Sequence, residues 1–595
     1  MGICKSCGSA NNSENITAHI RCTYEVKDLN YVQIINNIDR TYTNKEIETK
    51  VKILNGNKRE KLIFKKKFNN IGLNTIDFII EGQLTNMSCM FNGCSTLKQI
   101  EFITLETAHV TSIAIMFKDC IELEYIDVSK FNTINVTNIG WMFERCRKLK
   151  QIKGLNKFKT FNVKKMAGMF HECDELELID LSSFNTNNAT NMEWMFCGCV
   201  KLKQIIGLNN LNTINVTDMK RMFKDCFVLE YLDLSNFNTT NVTHMGWMFE
   251  ACHNLKQIKG LNNFNTINVT FMGAMFHECR QLEYIDVSNF NITNTTDIGW
   301  MFYGCHKLKT IKGINNFNTI SLTTINSLFN ECYELEYLDV SNFNTINVTD
   351  MGWMFCKCLK LNEIKGLNNF NTNKVKKMNS LFSFCDNLEK VDLSSFNTIN
   401  VIDMGWMFHK CHKLKEIKGI NKFNTNKVTN MKSMFNECNE LEYLDLSNFN
   451  TINVTDMSFM FNKCHKLKEI KGINNFNIKN VKHMESMFDL CNQLLKLNKP
   501  KFNSSFIQAN KKEEEIFAIN FITSDQRIQY PMACKDTEIF SELEEKLYNE
   551  YPDLKNKRLY FLANGNIVDK NETLAKNKIK GGTAIVIMDS EENED

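Results

Sequence analysis

The sequence predicts an α/β repeat protein: a right-handed solenoid of about sixteen rungs, each a strand plus a short helix. The first observation is the motif Phe-x-x-Cys, which occurs sixteen times from Cys94 to Cys491, with cysteines 26 or 27 residues apart. Self-similarity at such a period is typical of stacked repeats. The second is that the apolar side of one repeat can be buried only against its neighbours. We place the solenoid at residues 84–502.

Each repeat contains a strand signal followed by a helix signal. After Cys120, the residues Leu123, Ile126 and Val128 have the L-x-x-L-x-L spacing of a leucine-rich-repeat strand. From Val136 onward the apolar residues recur at helical spacing up to Leu149, which predicts one buried stripe on a short helix. The phenylalanines and cysteines of the motif are expected in the core as buried, free thiols and rings.

Neighbouring repeats differ, so the true period is 53 residues. The longer repeat carries an extra residue beside a glycine such as Gly154 or Gly260, which predicts a bulge at the strand end. Strands of one kind carry acids (Glu230, Asp233) and those of the other carry lysines (Lys256, Lys259). Each acid should therefore lie between lysines of adjacent rungs. Such a face is either a self-compensated sheet that fixes the register or a docking face for a charged partner.

The tryptophans are the leading candidates for a recognition surface. All six recur every 53 residues and lie off the buried stripe, so the rings should face outward. Intervening repeats carry small residues there, such as Gly168 and Ser327, with Arg221 as the exception. Each ring could pack over the next rung, or the rings could together bind a partner. The candidates are Trp141, Trp194, Trp247, Trp300, Trp353 and Trp406.

The repeat L-D-[LV]-S-x-F-N-T-x-N-V-T-x-M-x-x-M-F-x-x-C closely resembles that of the BspA-like leucine-rich-repeat family, known from bacterial and mycoplasma surface proteins and from protists. The resemblance implies a leucine-rich-repeat-like solenoid, a role in adhesion or protein binding, and no enzyme. Surface members of the family carry an export signal. The first residues here show no apolar run of that kind, so the surface location is not expected to apply.

The N-terminus has a lipidation pattern instead. Met1-Gly2-Ile3-Cys4-Lys5-Ser6 fits N-myristoylation at Gly2, and Cys4 and Cys7 are placed for palmitoylation. One myristoyl chain anchors only marginally, so a second acyl chain would be needed. We expect residues 1–17 to be an acylated, flexible N-terminus and residues 18–83 a β-rich cap on the solenoid's open end.

The C-terminal part reads as a separate domain. Residues 503–515 form a polar linker, residues 516–589 resemble a ubiquitin-like β-grasp domain, and residues 590–595 are an acidic tail. The resemblance rests on the order and spacing of Arg558-Leu559-Tyr560-Phe561, Thr573-Leu574, Ile579 and the strand 584–588. It implies an outward face for partner binding made of Tyr560, Val586 and Met588. The conjugating Gly-Gly tail of ubiquitin is absent, because the chain ends in DSEENED.

Composition narrows the function class. A formal charge of +3 is too small to indicate a nucleic-acid partner, and we find no catalytic constellation, metal site or cofactor site. The sequence therefore predicts a monomeric, non-enzymatic protein-binding scaffold on the cytoplasmic face of a membrane. Two alternatives stay open: an exported cell-surface or adhesion protein, and a ubiquitin-pathway adaptor.

Overall fold

The structure, a computed structural model, describes residues 16–35, 44–497, 516–523, 528–557 and 559–589. The chain divides between residues 499 and 500 into two compact units. The predicted linker, the acidic tail and nearly all of the predicted flexible N-terminus lie outside the described residues.

A β-rich cap precedes the repeats, as the sequence predicts. Its central strand pairs antiparallel with a cap strand on one side and with the first repeat strand on the other, as in Ala18↔Ile80 and Ala18↔Leu105. The open edge of the solenoid sheet is thereby covered, which protects it from pairing with other chains. The cap elements are β1 (Ile16–Val26), β2 (Tyr31–Gln33), α1 (Lys45–Lys50), β3 (Val51–Asn55), β4 (Lys58–Lys61), β5 (Lys65–Lys67) and β6 (Gly72–Glu81).

Fifteen repeat strands follow, so the predicted solenoid is confirmed. Each begins a few residues after a motif cysteine. After the sixteenth, Cys491, the helix α2 (Asn492–Leu497) takes the place of a strand. The strands are β7 (Leu97–Leu105), β8 (Tyr125–Asp127), β9 (Gln151–Lys153), β10 (Leu178–Asp180), β11 (Gln204–Ile206), β12 (Tyr231–Asp233), β13 (Gln257–Lys259), β14 (Tyr284–Asp286), β15 (Thr310–Lys312), β16 (Tyr337–Asp339), β17 (Glu363–Lys365), β18 (Lys390–Asp392), β19 (Glu416–Lys418), β20 (Tyr443–Asp445) and β21 (Glu469–Lys471).

The prediction of a short helix in each repeat is wrong. In the repeats between Cys94 and Cys491, the segment that precedes each motif cysteine folds as successive turns. In one repeat the N–H of Glu250 donates to the C=O of Trp247, and Trp247 and Ala251 have left-handed φ of 59° and 56°. Alternate N–H groups therefore point along the stack, as that of Trp247 does toward the C=O of Gly273 (3.0 Å). We call this the turn side of the solenoid.

Two side-chain ladders fill the core beneath the turn side, as predicted. Phe223, Phe249 and Phe276 stack with ring centroids 5.7 and 5.4 Å apart and nearly parallel planes. The thiol of Cys252 donates to the C=O of Phe223 on the preceding rung (3.1 Å). A buried thiol that has such an acceptor explains why cysteine suits this position better than a purely apolar residue.

The opposite face, the strand side, is organised in 53-residue units of two rungs. Within a unit the strands pair in parallel, as in Leu232↔Ile258 of β12 and β13. The sheet of a unit ends at its second strand: no strand pairing joins β13 to β14 of the next unit.

The extra residue of the longer repeat is accommodated by a glycine and a 3-10 helix, not by the predicted bulge. Gly260 has φ of +84°, and a Cβ there would lie 2.5 Å from the backbone of Ser235, so only glycine fits. The 3-10 helices are Leu155–Lys157, Leu208–Asn210, Leu261–Asn263, Ile314–Asn316, Leu367–Asn369, Ile420–Lys422 and Ile473–Asn475.

The second unit contains the predicted C-terminal domain, which is built on a sheet. Its sheet has the order β23-β22-β26-β24-β25, with the central pair β22 and β26 parallel. Phe521, Phe540, Phe561 and Ile585 pack between sheet and helix. The elements are β22 (Ile516–Thr523), β23 (Gln529–Lys535), α3 (Phe540–Glu550), a 3-10 helix (Pro552–Asn556), β24 (Leu559–Ala563), β25 (Asn566–Ile567) and β26 (Ala584–Asp589).

Candidate protein-binding surfaces

The charges of the strand side neutralise one another within each unit. Lys256 and Lys259 lie 2.7 and 2.9 Å from Glu230 and Asp233 of the preceding rung. Glu124 lies between Lys98 and Lys150 of the adjacent rungs, as predicted. In the described residues no ion pair joins Lys259 to the acids of the next unit, so the prediction that every acid lies between two lysines is wrong. The cause is the glycine and 3-10 turn, which separate the strands of neighbouring units.

The ion pairs shift the acids' titration. Lys418 and Ser394 donate hydrogen bonds to Asp392 and hold its pKa at about 2, well below the usual range. A surface whose carboxylates are paired in this way has little net field with which to attract a charged partner from a distance.

A row of exposed aromatic side chains runs along the same face, and sequence reasoning missed it. Tyr231, Tyr284 and Tyr337 expose 48, 50 and 46% of their surface. A groove of about 500 Å³ lies beside Tyr337, at the unpaired step between β15 and β16. The signal was present, because the alternation in E-Y-[IL]-D places the tyrosine outward wherever the next residue is buried.

The tryptophan rings lie on the turn side, and the backbone of each tryptophan has a left-handed φ. The Trp141 ring covers Gly168 on the next rung, where a Cβ would lie 2.0 Å from its Cε3 atom. This is the predicted packing of a large ring over a small residue.

In the first half of the row the protein's own side chains lie between successive rings. The His171 ring contacts Trp141 and Trp194 edge-on, with centroids 5.7 and 5.1 Å apart. The Arg221 guanidinium lies between Trp194 and Trp247, with Cζ 4.4 and 4.5 Å from the two ring centroids.

The row is more open farther along. Trp300 and Trp353 are 43 and 40% exposed, more than the other four tryptophans. Trp406 is partly covered, because Lys432 Nζ lies 5.3 Å from its ring centroid. The structure thus places all six candidates in one row, and their role in binding remains a prediction.

The three candidates of the C-terminal domain share one face of its sheet. Tyr560 lies opposite Met588, and Leu562 lies opposite Val586. All four are half-buried, whereas Phe561 between them points into the core. Leu562 was not anticipated as a member of this patch, although its position two residues from Tyr560 on one strand could have indicated it.

The repeats match a described family model. Its description is "Mycoplasma protein of unknown function, DUF285", and the matches cover residues 62–177, 126–229, 147–257, 217–336, 296–417 and 406–518. The chain belongs to this family. The match confirms the predicted repeat family, and it does not reach most of the C-terminal domain.

Other comparisons add little to the DUF285 assignment. A solved leucine-rich repeat protein from Eubacterium ventriosum ATCC 27560 is 15% identical, over 63% of this chain and 78% of that chain, with a TM-score of 0.28. A search of the curated proteins gave no match. The assignment of the solenoid therefore rests on the hydrogen-bonded rungs of this DUF285 chain itself.

The predicted lipidation residues Gly2, Cys4 and Cys7 lie outside the described residues. Among the residues that are described, no helix has both the length and the apolar character of a membrane span. The described part also contains no group of three or more His, Cys, Asp or Glu side chains that could hold a metal ion.

Proposed function

We propose that this DUF285 protein is a non-enzymatic scaffold that binds other proteins through its solenoid. The observation that carries the proposal is the pair of aromatic rows, tryptophan on the turn side and tyrosine on the strand side, repeated at two-rung intervals. Aromatic side chains are enriched where proteins bind one another, and rings fixed by a rigid backbone lose little entropy on binding.

The electrostatics favour contact at short range over long-range steering. The strand-side charges pair internally, and the formal net charge is only +3. The proposed partners are therefore proteins that match the spacing of the rings, and nucleic acid is not among them. We propose a monomer, and the cap supports this because β1 pairs with β7 and so covers the N-terminal edge of the repeat strands.

The C-terminal domain is proposed as a second docking module. Its strand order and its resemblance to ubiquitin support this role, and the patch of Tyr560, Leu562, Val586 and Met588 supplies an apolar face. A ubiquitin-pathway adaptor is the corresponding alternative. It requires that Tyr560→Ala with Val586→Ala abolish binding of ubiquitin-pathway proteins specifically.

The scaffold is proposed to be tethered to the cytoplasmic face of a membrane by acylation of Gly2, Cys4 and Cys7. The resemblance of the repeat to that of BspA-like surface proteins supports a second candidate, an exported surface or adhesion protein. Glycans on asparagines of the repeat, such as Asn135 or Asn241, together with labelling of intact cells from outside, would establish that candidate in place of the tether.

Membrane fractionation with a myristate label tests the tether. The wild type should pellet with membranes and incorporate the label. Gly2→Ala should lose both properties, whereas Cys4→Ser with Cys7→Ser should keep the label and lose stable attachment. If all three proteins partition alike and none is labelled, the tether is wrong.

A further inference from the structure

The cap carries a run of basic residues that differs from the lysines of the strand side. Residues 58–67 read KREKLIFKKK, with six basic side chains and one acid. Arg59 pairs with Glu81, but no carboxylate of the described residues lies within ion-pair distance of any of the five lysines in this run. Strand-side lysines such as Lys256, by contrast, are paired. The cap therefore has positive charge that the protein does not neutralise.

Strand pairing places two of these lysines beside an exposed tyrosine. The strands β2 and β5 pair antiparallel, with Tyr31 opposite Lys67 and Gln33 opposite Lys65. Side chains alternate along a strand, so these four share one face, whereas Val32 is on the other face and is buried. Tyr31 is 71% exposed. Opposite side chains have Cβ atoms roughly 5 Å apart, so the tyrosine and the lysines form one surface.

Two connections run side by side at this end of the cap. One joins Val26 at the end of β1 to Tyr31 at the start of β2, and the other joins Lys67 at the end of β5 to Gly72 at the start of β6. Both ends of the two connections are paired, because Val26 lies opposite Gly72 and Tyr31 lies opposite Lys67. Residues of the two connections are therefore neighbours in space.

The two connections and their flanks expose large apolar side chains. Ile71 and Leu73 are 64 and 66% exposed, and Leu29 is exposed as well. The one carboxylate in the connections belongs to Asp28, which accepts the N–H of Asn30 (2.9 Å). We call this surface the cap patch, which consists of Leu29, Tyr31, Lys65, Lys67, Ile71 and Leu73.

The mixture of charge and apolar surface favours an anionic membrane as the occupant. Several large apolar side chains exposed together indicate a surface that is covered in use. A bilayer with anionic lipids offers negative headgroups to the lysines and an apolar boundary to the aliphatic side chains. A nucleic acid would attract the lysines alone, and would leave Ile71 and Leu73 in water.

The proposed lipidation brings a membrane within reach of the cap patch. Gly2 lies fourteen residues before Ile16, where β1 begins, and the cap patch lies near the other end of β1. Fourteen residues can span up to about 50 Å, whereas the eleven residues of β1 extend over roughly 36 Å. An acyl chain on Gly2 and the cap patch can therefore contact the same bilayer.

We propose that the cap patch docks on the surface of a membrane that contains anionic lipids. Lys65 and Lys67 lie at the headgroups, and Tyr31, Ile71 and Leu73 enter the boundary between headgroups and acyl chains. The inference rests on the proposed tether and deepens it, because it specifies which surface of the protein faces the bilayer. The cap patch adds a salt-sensitive contribution to that of the acyl chains.

The test measures co-sedimentation of the full chain with lipid vesicles. The protein carries Gly2→Ala and is made in bacteria, so that no acyl chain contributes. The probe is a vesicle of equal parts phosphatidylcholine and phosphatidylserine, and the control is a vesicle of phosphatidylcholine alone. The protein should sediment with the anionic vesicles at low salt, be released at high salt, and stay in solution with the control vesicles.

Paired variants separate the two components of the cap patch. Lys65→Gln with Lys67→Gln should weaken binding to anionic vesicles about tenfold or more, because each lysine near an anionic surface contributes to binding. The matched control, Lys415→Gln with Lys418→Gln, removes the same charge from the strand side and should leave binding unchanged. Ile71→Asn with Leu73→Thr should weaken binding several-fold and keep its dependence on salt.

Four results would each overturn the proposal: no sedimentation with anionic vesicles, equal binding to phosphatidylcholine alone, equal losses for the two lysine pairs, or no loss for the apolar pair. Binding of single-stranded RNA without binding of vesicles would assign the lysines to nucleic acid instead. If circular dichroism shows that the Lys65 and Lys67 variant is unfolded, Lys58→Gln replaces it. Lys58 is exposed beyond β3, which runs antiparallel to β6 toward the same end of the cap, so binding should again weaken several-fold.

The tether is judged separately, by the cell fractionation described above. Its membranes are washed at high salt, which screens the lysines of the cap patch and leaves the acyl chains to hold the protein. Failure of vesicle binding with intact fractionation removes only the cap patch. Failure of fractionation with intact vesicle binding removes the tether and leaves the cap patch in place.

Discussion

The two sides of the solenoid are held together differently. On the turn side, backbone hydrogen bonds join every rung to the next: Trp247 donates to Gly273, and Ala274 donates to Gly299. On the strand side, beyond the first three strands β7, β8 and β9, strand pairing joins only the two rungs of one unit in the described residues. The turn side is therefore continuous and the strand side is segmented.

This difference bears on which surface can recognise a partner. The tryptophans belong to the continuous side, where the backbone that carries each ring is hydrogen-bonded to the next rung. The tyrosines lie on the segmented side, where strand pairing does not continue from β13 to β14. Rigid display favours the tryptophan row as the more specific surface, since less ordering is required on binding.

The largest expected effect on the free energy of unfolding is at the glycine that follows the second strand of a unit. Gly419 has φ of +87°, and a Cβ there would lie 2.6 Å from the Cα of Ser394. Gly419→Ala should cost about 3 kcal/mol or more in the free energy of unfolding, because it combines left-handed strain with a backbone overlap. Gly82→Ala is the control, since Gly82 has φ of +79° and open space around it. Equal losses in urea unfolding would show that the overlap is irrelevant.

The next effect tests a threonine hydrogen bond to the following rung, which recurs along most of the solenoid. Thr372 is buried, its hydroxyl donates to the C=O of Asn397 (2.9 Å), and it accepts the N–H of Asn397 (2.8 Å). Thr372→Val keeps the shape but leaves both backbone groups unpaired, so it should cost about 2–3 kcal/mol. Thr372→Ser retains the hydroxyl and should cost much less. Similar losses for both variants, measured by urea unfolding, would contradict the hydrogen-bond account.

A third effect appears only in acid. Burial, with a smaller contribution from Lys410, lowers the pKa of His409 to about 4. The folded state thus favours the neutral ring, so this contribution is complete above about pH 6.5 and is lost as pH falls toward 4, on the order of 3 kcal/mol in total. His409→Asn, which copies Asn462 at the same place in the next unit, should reduce the pH dependence of unfolding. An unchanged pH profile would show that His409 is not the titrating group.

The smallest effect is expected on the segmented side. Lys418 is 63% exposed and pairs with Asp392 at 2.7 Å. Lys418→Met should change the free energy of unfolding at neutral pH least of all these variants, because solvent screens the pair. The lowered pKa of Asp392 contributes stability above about pH 4 that is lost as pH falls through about 2, and the variant should shrink this term. A loss as large as that of Thr372→Val would contradict the comparison of the two sides.

The sequence predicts the stack, the cap, the C-terminal sheet and the core ladders, because each depends on which residues are buried. It predicts a helix wrongly after Val136, since successive turns with left-handed residues bury the same positions as a helix would. The 53-residue period was visible, but the break in strand pairing depends on the conformation of Gly260 and of the turn after it.

The tryptophan row, too, is predictable from the sequence only in part. The sequence singles out the tryptophans and marks Arg221 as the exception among small residues. It cannot show that the Arg221 guanidinium lies between two rings, because this depends on side-chain placement across rungs.

Partner recovery from the cells that make the protein tests the scaffold account most directly. Tagged full-length chains would be compared by mass spectrometry: wild type, Trp300→Ala with Trp353→Ala, and Tyr560→Ala with Val586→Ala. The account predicts that each double variant loses a different set of proteins and keeps the set lost by the other. If neither variant changes the recovered proteins, the claim that these surfaces bind partners is wrong.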